Sequence, residues 1–219
     1  MVQRRKRLID VDAILDASLA CIDESGRLTM TDLAGRLGTS PSAVYKHLSG
    51  RGAIIEALRE RVVVAGMLMP PLDGSAWIDQ VSAWMHSYRN ALARHARLIP
   101  LLTETTMTSG SVLRGYDRVA TLLRDAGVPP REVLLWISVL DSYALGAALD
   151  LAAPEAVWRD EDGDLPALGE ALEAAPQGQQ RADEAFDIGL TALLDGLRRR
   201  LAVEATAPDG EHPRPPVRR

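Results

Sequence analysis

Within RLTMTDLAGRLGTSPSAVYKHL, residues 27–48, a run of hydrogen-bond donors gathers on one short segment: Thr39, Ser40, Ser42, Tyr45, Lys46 and His47. Helical spacing after Pro41 puts Ser42, Tyr45, Lys46 and Ser49 on one face, with Val44 and Leu48 turned inward. A polar face over an apolar back is what a helix needs to lie in the major groove of a duplex. Lys46 can donate to guanine O6 and N7, a contact that separates bases by about 1–3 kcal/mol, or it can meet a phosphate instead. Tyr45 can belong to that surface or serve as packing. His47 has no His, Cys or carboxylate at ligand spacing, which argues against a metal site.

The elements that must hold this face are legible around it. Ala34 is small enough for two helices to approach closely, Gly38 can take the left-handed conformation that ends the first, and Val44 is placed to be buried by the second. Together they make a helix-turn-helix pattern. Thr29 reads as an N-cap with Asp32 three residues on, a capping box with Asp in place of Glu, and Leu33 and Leu37 supply the buried stripe. Ser40 is positioned to cap the second helix, and Pro41 follows where its missing N–H costs nothing. An earlier helix is expected over Val11–Glu24, capped by Asp10, stapled by Ile9 and Ile14, and stopped at Gly26. Its stripe is Val11, Ile14, Leu15, Ser18, Leu19 and Ile22. Three helices in so short a span make a marginal core, so the next helix, Arg51 to about Met67, is expected to support them.

The 219 residues carry a net charge of −5, but unevenly: residues 1–51 sum to +2 and residues 52–219 to −7. Arg4, Arg5, Lys6 and Arg7 concentrate four cations before the first helix, either a phosphate- or minor-groove-binding arm or a solvated terminus. The hydrophobic share is 47% with Ala and Leu dominant, and no alternating β-branched run stands out, so the expected class is all-α. No apolar run of membrane-spanning length is apparent, and no apolar stretch follows the charged start as a secretory signal would require. The single Cys21 is expected to be a small buried side chain in a reducing compartment, the cytoplasm.

Downstream, helices are expected over residues 75–94, 96–105, 111–126, 131–152 and 181–201, with a partly mobile loop and one short helix across 154–180 and a disordered tail from 203. The divisions are residues 1–50, 51–202 and 203–219. The two long apolar helices, one with the small residues Gly146, Ala147 and Ala148, suit a four-helix dimer seam or an ordinary core.

The segment LTMTDLAGRLGTSPSAVYKHLSGRGAIIEAL resembles the N-terminal part of the tetracycline-repressor (TetR) family of transcription regulators. Tyr45, Lys46 and His47 fit the family's aromatic pair in its third helix. Its usual Asn-Lys pair stands here as Gly50 and Arg51, which keeps the cation and loses the Asn side chain. DEAFDIGLTALLDGLRRRL looks like the last helix of one C-terminal class. The resemblance implies a homodimer of nine or ten helices per subunit that binds operator DNA as a ligand-responsive regulator, with no cofactor. It implies base contacts from Thr39, Ser40, Pro41, Ser42 and Lys46, and phosphate contacts from Tyr45, His47 and Arg51. Thr29 and Thr31 begin the helix that faces the backbone.

An effector pocket in the larger part would draw on Trp84, Met85, Tyr88, Leu101, Thr105, Met107, Leu113, Tyr116, Trp136, Leu140 and Tyr143, with His86, Glu104 and Asp141 as polar anchors. Such a wall suits an amphipathic or hydrophobic molecule, although each of these residues also fits a plain core. Two other readings stay open: a DNA binder without an effector, and an enzyme that uses the pocket. Against the enzyme, the four histidines are scattered and no phosphate loop or paired metal motif is present.

Overall fold

The computed structural model describes residues 9–206, and Arg4, Arg5, Lys6 and Arg7 lie outside them. Ten α-helices follow in order and, among the described residues, no strand: α1 Val11–Ser25, α2 Met30–Leu37, α3 Pro41–Tyr45, α4 Arg51–Arg59, α5 Trp77–Ala93, α6 Ile99–Thr103, α7 Gly110–Asp125, α8 Pro130–Leu151, α9 Pro166–Ala174 and α10 Gly178–Thr206. The all-α class is as expected.

Local chemistry starts and stops the first helices. The Asp10 carboxylate accepts from Ala13 N–H at 2.8 Å, and Gly26 ends α1 at φ 70°. Thr29 Oγ1 accepts from Asp32 N–H at 3.1 Å, but Asp32 is too short to reach back to the backbone as Glu does in a capping box. It accepts the Thr29 hydroxyl proton instead, at 2.6 Å. Gly38 turns the chain at φ 64°, and the Thr39 N–H returns to Ala34 O at 2.9 Å. Ile14, Ile22, Leu33, Val44, Ile54, Ile55 and Leu58 then close one fully buried core under α1–α4. Three expectations need correction. Val11 is 40% exposed, because it opens the helix before its inner face begins. The Ser40 hydroxyl makes no cap and pairs with the Ser42 hydroxyl at 2.9 Å. The helix after Pro41 ends at Tyr45, and Lys46 and His47 continue it only as a turn.

The helix expected to run unbroken from Arg51 changes pitch. After Arg59 it widens into a π-helical turn, Glu60–Val64. Val62 and Val63 are both buried there. Beyond it the backbone meets α5 and α7 closely: a Cβ built on Gly66 would stand 2.6 Å from Ala91 Cβ, and one on Gly115 2.6 Å from Met67 Cε.

Helices α5, α7, α8 and α10 form the larger layer, with α5 and α8 as its central pair. By length and hydropathy α8 is apolar enough to cross a bilayer, mean hydropathy 1.4 over its best window, contrary to the sequence expectation. Here it is the spine of a packed bundle: Val133, Ile137, Leu140, Ala144 and Ala148 are buried against its neighbours. Helix α10 begins before Arg181 and runs through Thr206, past the expected start of the tail at 203. The rest of the tail, residues 207–219, lies outside the described residues.

Gly66→Ala is expected to lower stability by about 1–3 kcal/mol in a urea melt, because the Ala91 Cβ cannot swing aside. Gly115→Ala is expected to cost less, since the obstacle is the flexible end of Met67.

Candidate functional site

The face carried by α3 is built from the inside out. Val44 is fully buried under α2, which leaves Pro41, Ser42, Tyr45, Lys46 and His47 facing solvent. Tyr45 is 50% exposed, so it is surface rather than packing alone. Its ring edge lies over Gly50, where an added Cβ would be 3.5 Å from Cε1. Gly50 itself, at φ 137° and ψ −173°, holds a conformation nearly restricted to glycine. That conformation turns the chain into α4, which Arg51 opens. Thr39 is half-buried, Ser40 and Thr31 are exposed, and Thr29 has given its only hydroxyl proton to Asp32. Arg51 places Nη1 and Nη2 each 3.1 Å from Glu104 Oε2, in the segment just after α6.

Sequence reasoning missed the groups that join α4 to the larger layer. Glu56 Oε1 accepts from the backbone N–H groups of Thr108 and Ser109, each at 2.6 Å, at the start of α7. Its Oε2 accepts from Arg59 Nε at 2.8 Å. Arg59 Nη2 donates to the Leu102 carbonyl at 2.6 Å and to Thr105 Oγ1 at 3.0 Å, just past α6. The pair, Arg59 buried and Glu56 half-buried, therefore satisfies free carbonyls at the end of α6 and free N–H groups before α7. Burial alone would raise the Glu56 carboxyl. The Thr108 N–H, the Arg59 guanidinium and the Ser109 N–H outweigh it and hold the group below its usual value. The available signal was two ionisable residues spaced i, i+3 and bracketing Ala57 and Leu58, in a helix whose inner face is otherwise apolar. Further ties run from α1: Arg61 to Asp16 at 2.5 Å, His95 Nδ1 to Asp23 Oδ2 at 2.9 Å, and Arg97 Nη1 to the Glu24 carbonyl at 2.5 Å.

Inside the larger layer, Tyr88 and Tyr116 both donate to Asp141 Oδ1, at 2.9 and 2.7 Å. Trp84 stacks on Tyr88 at 5.3 Å and meets Tyr116 edge-on at 5.8 Å, while its Nε1 donates to Met67 Sδ at 2.9 Å. Burial, reinforced by the Asp141 charge, pushes both phenols well above their usual range, so they remain protonated donors. Met85, Leu101 and Leu140 are buried around this cluster and Met107 packs against the core.

The other proposed lining residues sit elsewhere. Leu113 is 46% exposed, and Glu104 is at the surface with Arg51. The Thr105 hydroxyl accepts from Arg59. Trp136 lines a surface groove with Arg131, Glu132, Leu135, Val139 and Arg200. Tyr143 stacks on Phe186 of α10 at 5.4 Å, because two residues along a helix from Asp141 is nearly the opposite face. His86 likewise faces α10, with Nε2 2.7 Å from Asp187 Oδ1.

Leu134 and Leu135 on α8 are 73% and 64% exposed, and Ile188 on α10 is 73% exposed. No residue of α9 is buried.

Residues 70–201 match the family described as "Tetracyclin repressor-like, C-terminal domain". The chain is 28% identical over 197 residues to tetracycline repressor protein class D of Escherichia coli, covering 85% of this chain and 88% of that protein. It is 25% identical over 145 residues to the HTH-type transcriptional repressor DrrR1 of Streptomyces coeruleorubidus, covering 65% of this chain and 54% of that protein, about half its length. Its fold is shared with ActR of Streptomyces coelicolor, solved in complex with actinorhodin, at TM-score 0.70 and 19% identity over 89% of this chain and 99% of that one.

Two outcomes follow for the α4 joint. Arg59→Met is expected to cost about 1–3 kcal/mol in a urea melt, since it takes the cation from beside Glu56 and the donor from the buried Leu102 carbonyl. The Glu56 carboxyl lies below its usual 4.5 when folded, so its contribution is complete above that value and lost as pH falls through the lower, folded one. Stability measured against pH should therefore fall less on the acid side in Glu56→Gln than in the parent chain.

Proposed function

The chain belongs to the tetracycline-repressor family, and on that footing we propose that it is a ligand-responsive transcription repressor that grips operator DNA as a homodimer. The observation that carries this reading is the split at α3, where Val44 is fully buried and its neighbours Tyr45 and Lys46 are presented outward. A helix of five residues preceded by a left-handed turn reaches a groove with its N-terminal end. Thr39, Ser40, Pro41, Ser42 and Lys46 then meet base edges, while Tyr45, His47 and Arg51 meet phosphates. Residues 1–50 make the reading head, with Arg4, Arg5, Lys6 and Arg7 as an arm. Residues 51–202 make the body. Such a regulator works where the chromosome is, in the cytoplasm.

One head reads too few base pairs to choose a site. The exposed apolar side chains of α8 and α10, together with α9 and its lack of any buried residue, support pairing of two bodies through these helices. Half-sites must then stand about 34–36 Å apart. The effector enters among Trp84, Met85, Tyr88, Leu101, Tyr116, Leu140 and Asp141, where an aromatic wall surrounds one carboxylate. A small amphipathic molecule that takes either tyrosine's place on Asp141 displaces Trp84, hence Met67, hence the end of the α4 segment. Head spacing changes and the operator is released. Both named relatives are repressors, which supports repression over activation.

The test is selection of a duplex from random sequence by the purified chain, followed by titration. The expected product is a palindrome bound with nanomolar affinity. Lys46→Ala should weaken binding by about 1–3 kcal/mol and relax preference at one base pair, and Tyr45→Ala should weaken it without that relaxation. Ile188→Arg should give a monomer by light scattering, with the palindrome bound far more weakly. A chain that selects nothing, or Tyr45 and Lys46 variants that bind as the parent does, would end this reading.

A further inference from the structure

Arg51 is the cation of the proposed phosphate-contacting set that the chain itself already holds. Both of its terminal nitrogens are 3.1 Å from one oxygen of Glu104, a residue 53 positions away in the segment after α6. The rest of that segment is fastened to α4 by the Glu56–Arg59 pair, through Leu102 before Glu104 and through Thr105 and Thr108 after it. Glu104 is thus delivered to Arg51 by fixed neighbours. The second Glu104 oxygen makes no contact with Arg51, and both side chains are well exposed, 41% and 52%. An ion pair in that setting is weak and exchanges readily. The DNA-facing surface can ill spare it: residues 27–51 contain only Arg27, Arg36, Lys46 and Arg51 as cations, and Arg36 is engaged by Glu24 at 2.6 Å.

We infer that Glu104 is a positioning residue that competes with an operator phosphate for Arg51, so that the segment between α6 and α7 sets how much of this charge the head can offer DNA. This rests on the DNA-binding reading above. When the segment holds Glu104 against Arg51, one phosphate contact per head is weakened. When the segment shifts, Arg51 turns to the duplex and a counterion is released there.

The test uses the full-length chain and the duplex it selects from random sequence, with affinity measured by fluorescence anisotropy across a salt series. Glu104→Gln, Arg51→Gln and the double variant are compared with the parent. Glu104→Gln keeps the side chain's size and should tighten binding about two- to fivefold per head, the worth of an exposed ion pair. Arg51→Gln should weaken binding and lower the salt slope by about one per head. In the Arg51→Gln background, Glu104→Gln should change nothing. An equal gain from Glu104→Gln with or without Arg51 would mean that the acid acts only through general charge, and the inference fails. Unchanged affinity in Glu104→Gln also overturns it. Failure of the parent chain to select any duplex would instead remove the DNA-binding reading on which it stands.

Discussion

A buried guanidinium and the half-buried carboxylate beside it, Arg59 and Glu56, tie the first four helices to the rest of the molecule. Short helices leave backbone groups unsatisfied at both ends, and the end of α6 and the start of α7 both meet α4 here. Arg59 takes up carbonyls on one side and Glu56 takes up N–H groups on the other. Arg59 is the buried member, and a guanidinium there is costly without its carboxylate and carbonyl partners.

The far end of the same segment is bound just as closely, by packing rather than charge. Past the π-helical turn, Gly66 lies against Ala91, Met67 reaches Gly115, and Met67 Sδ receives the Trp84 indole proton. Trp84 in turn stacks on Tyr88, which donates to Asp141 in the middle of α8. A continuous chain of contacts thus connects the interior carboxylate to the segment that ends in Gly50 and the α3 face. The widened turn sits between the two fastened ends, where a helix has an extra residue per turn to take in or give back.

The part around α1–α3 was legible because its determinants are local. Asp10, Thr29, Gly26 and Gly38 act within a few residues of themselves, and Val44 is inward by helical phase alone. Where local rules failed, a nearby competitor won: the Ser40 hydroxyl turned to Ser42, and Asp32 took a hydroxyl instead of a backbone proton. The interior was only half legible. Trp84, Tyr88, Tyr116 and Asp141 do meet, yet Tyr143 and His86, equally plausible by type, face α10 because helical phase turned them there. Glu104 was read as an interior anchor and is a surface partner of Arg51, since residue type says nothing about which side of a turn a side chain leaves from.

By itself the sequence determined the helical class, the order of the elements, the turn at Gly38 and the polar face that follows Pro41. Each of these depends on backbone preference and spacing within about ten residues. Tertiary structure alone decided which backbone groups the charged side chains of α4 meet 43 to 53 residues away and which apolar faces of α8 and α10 remain uncovered. Those outcomes depend on how the helices cross, and a crossing is set by side chains of two elements at once, which no single stretch of sequence contains.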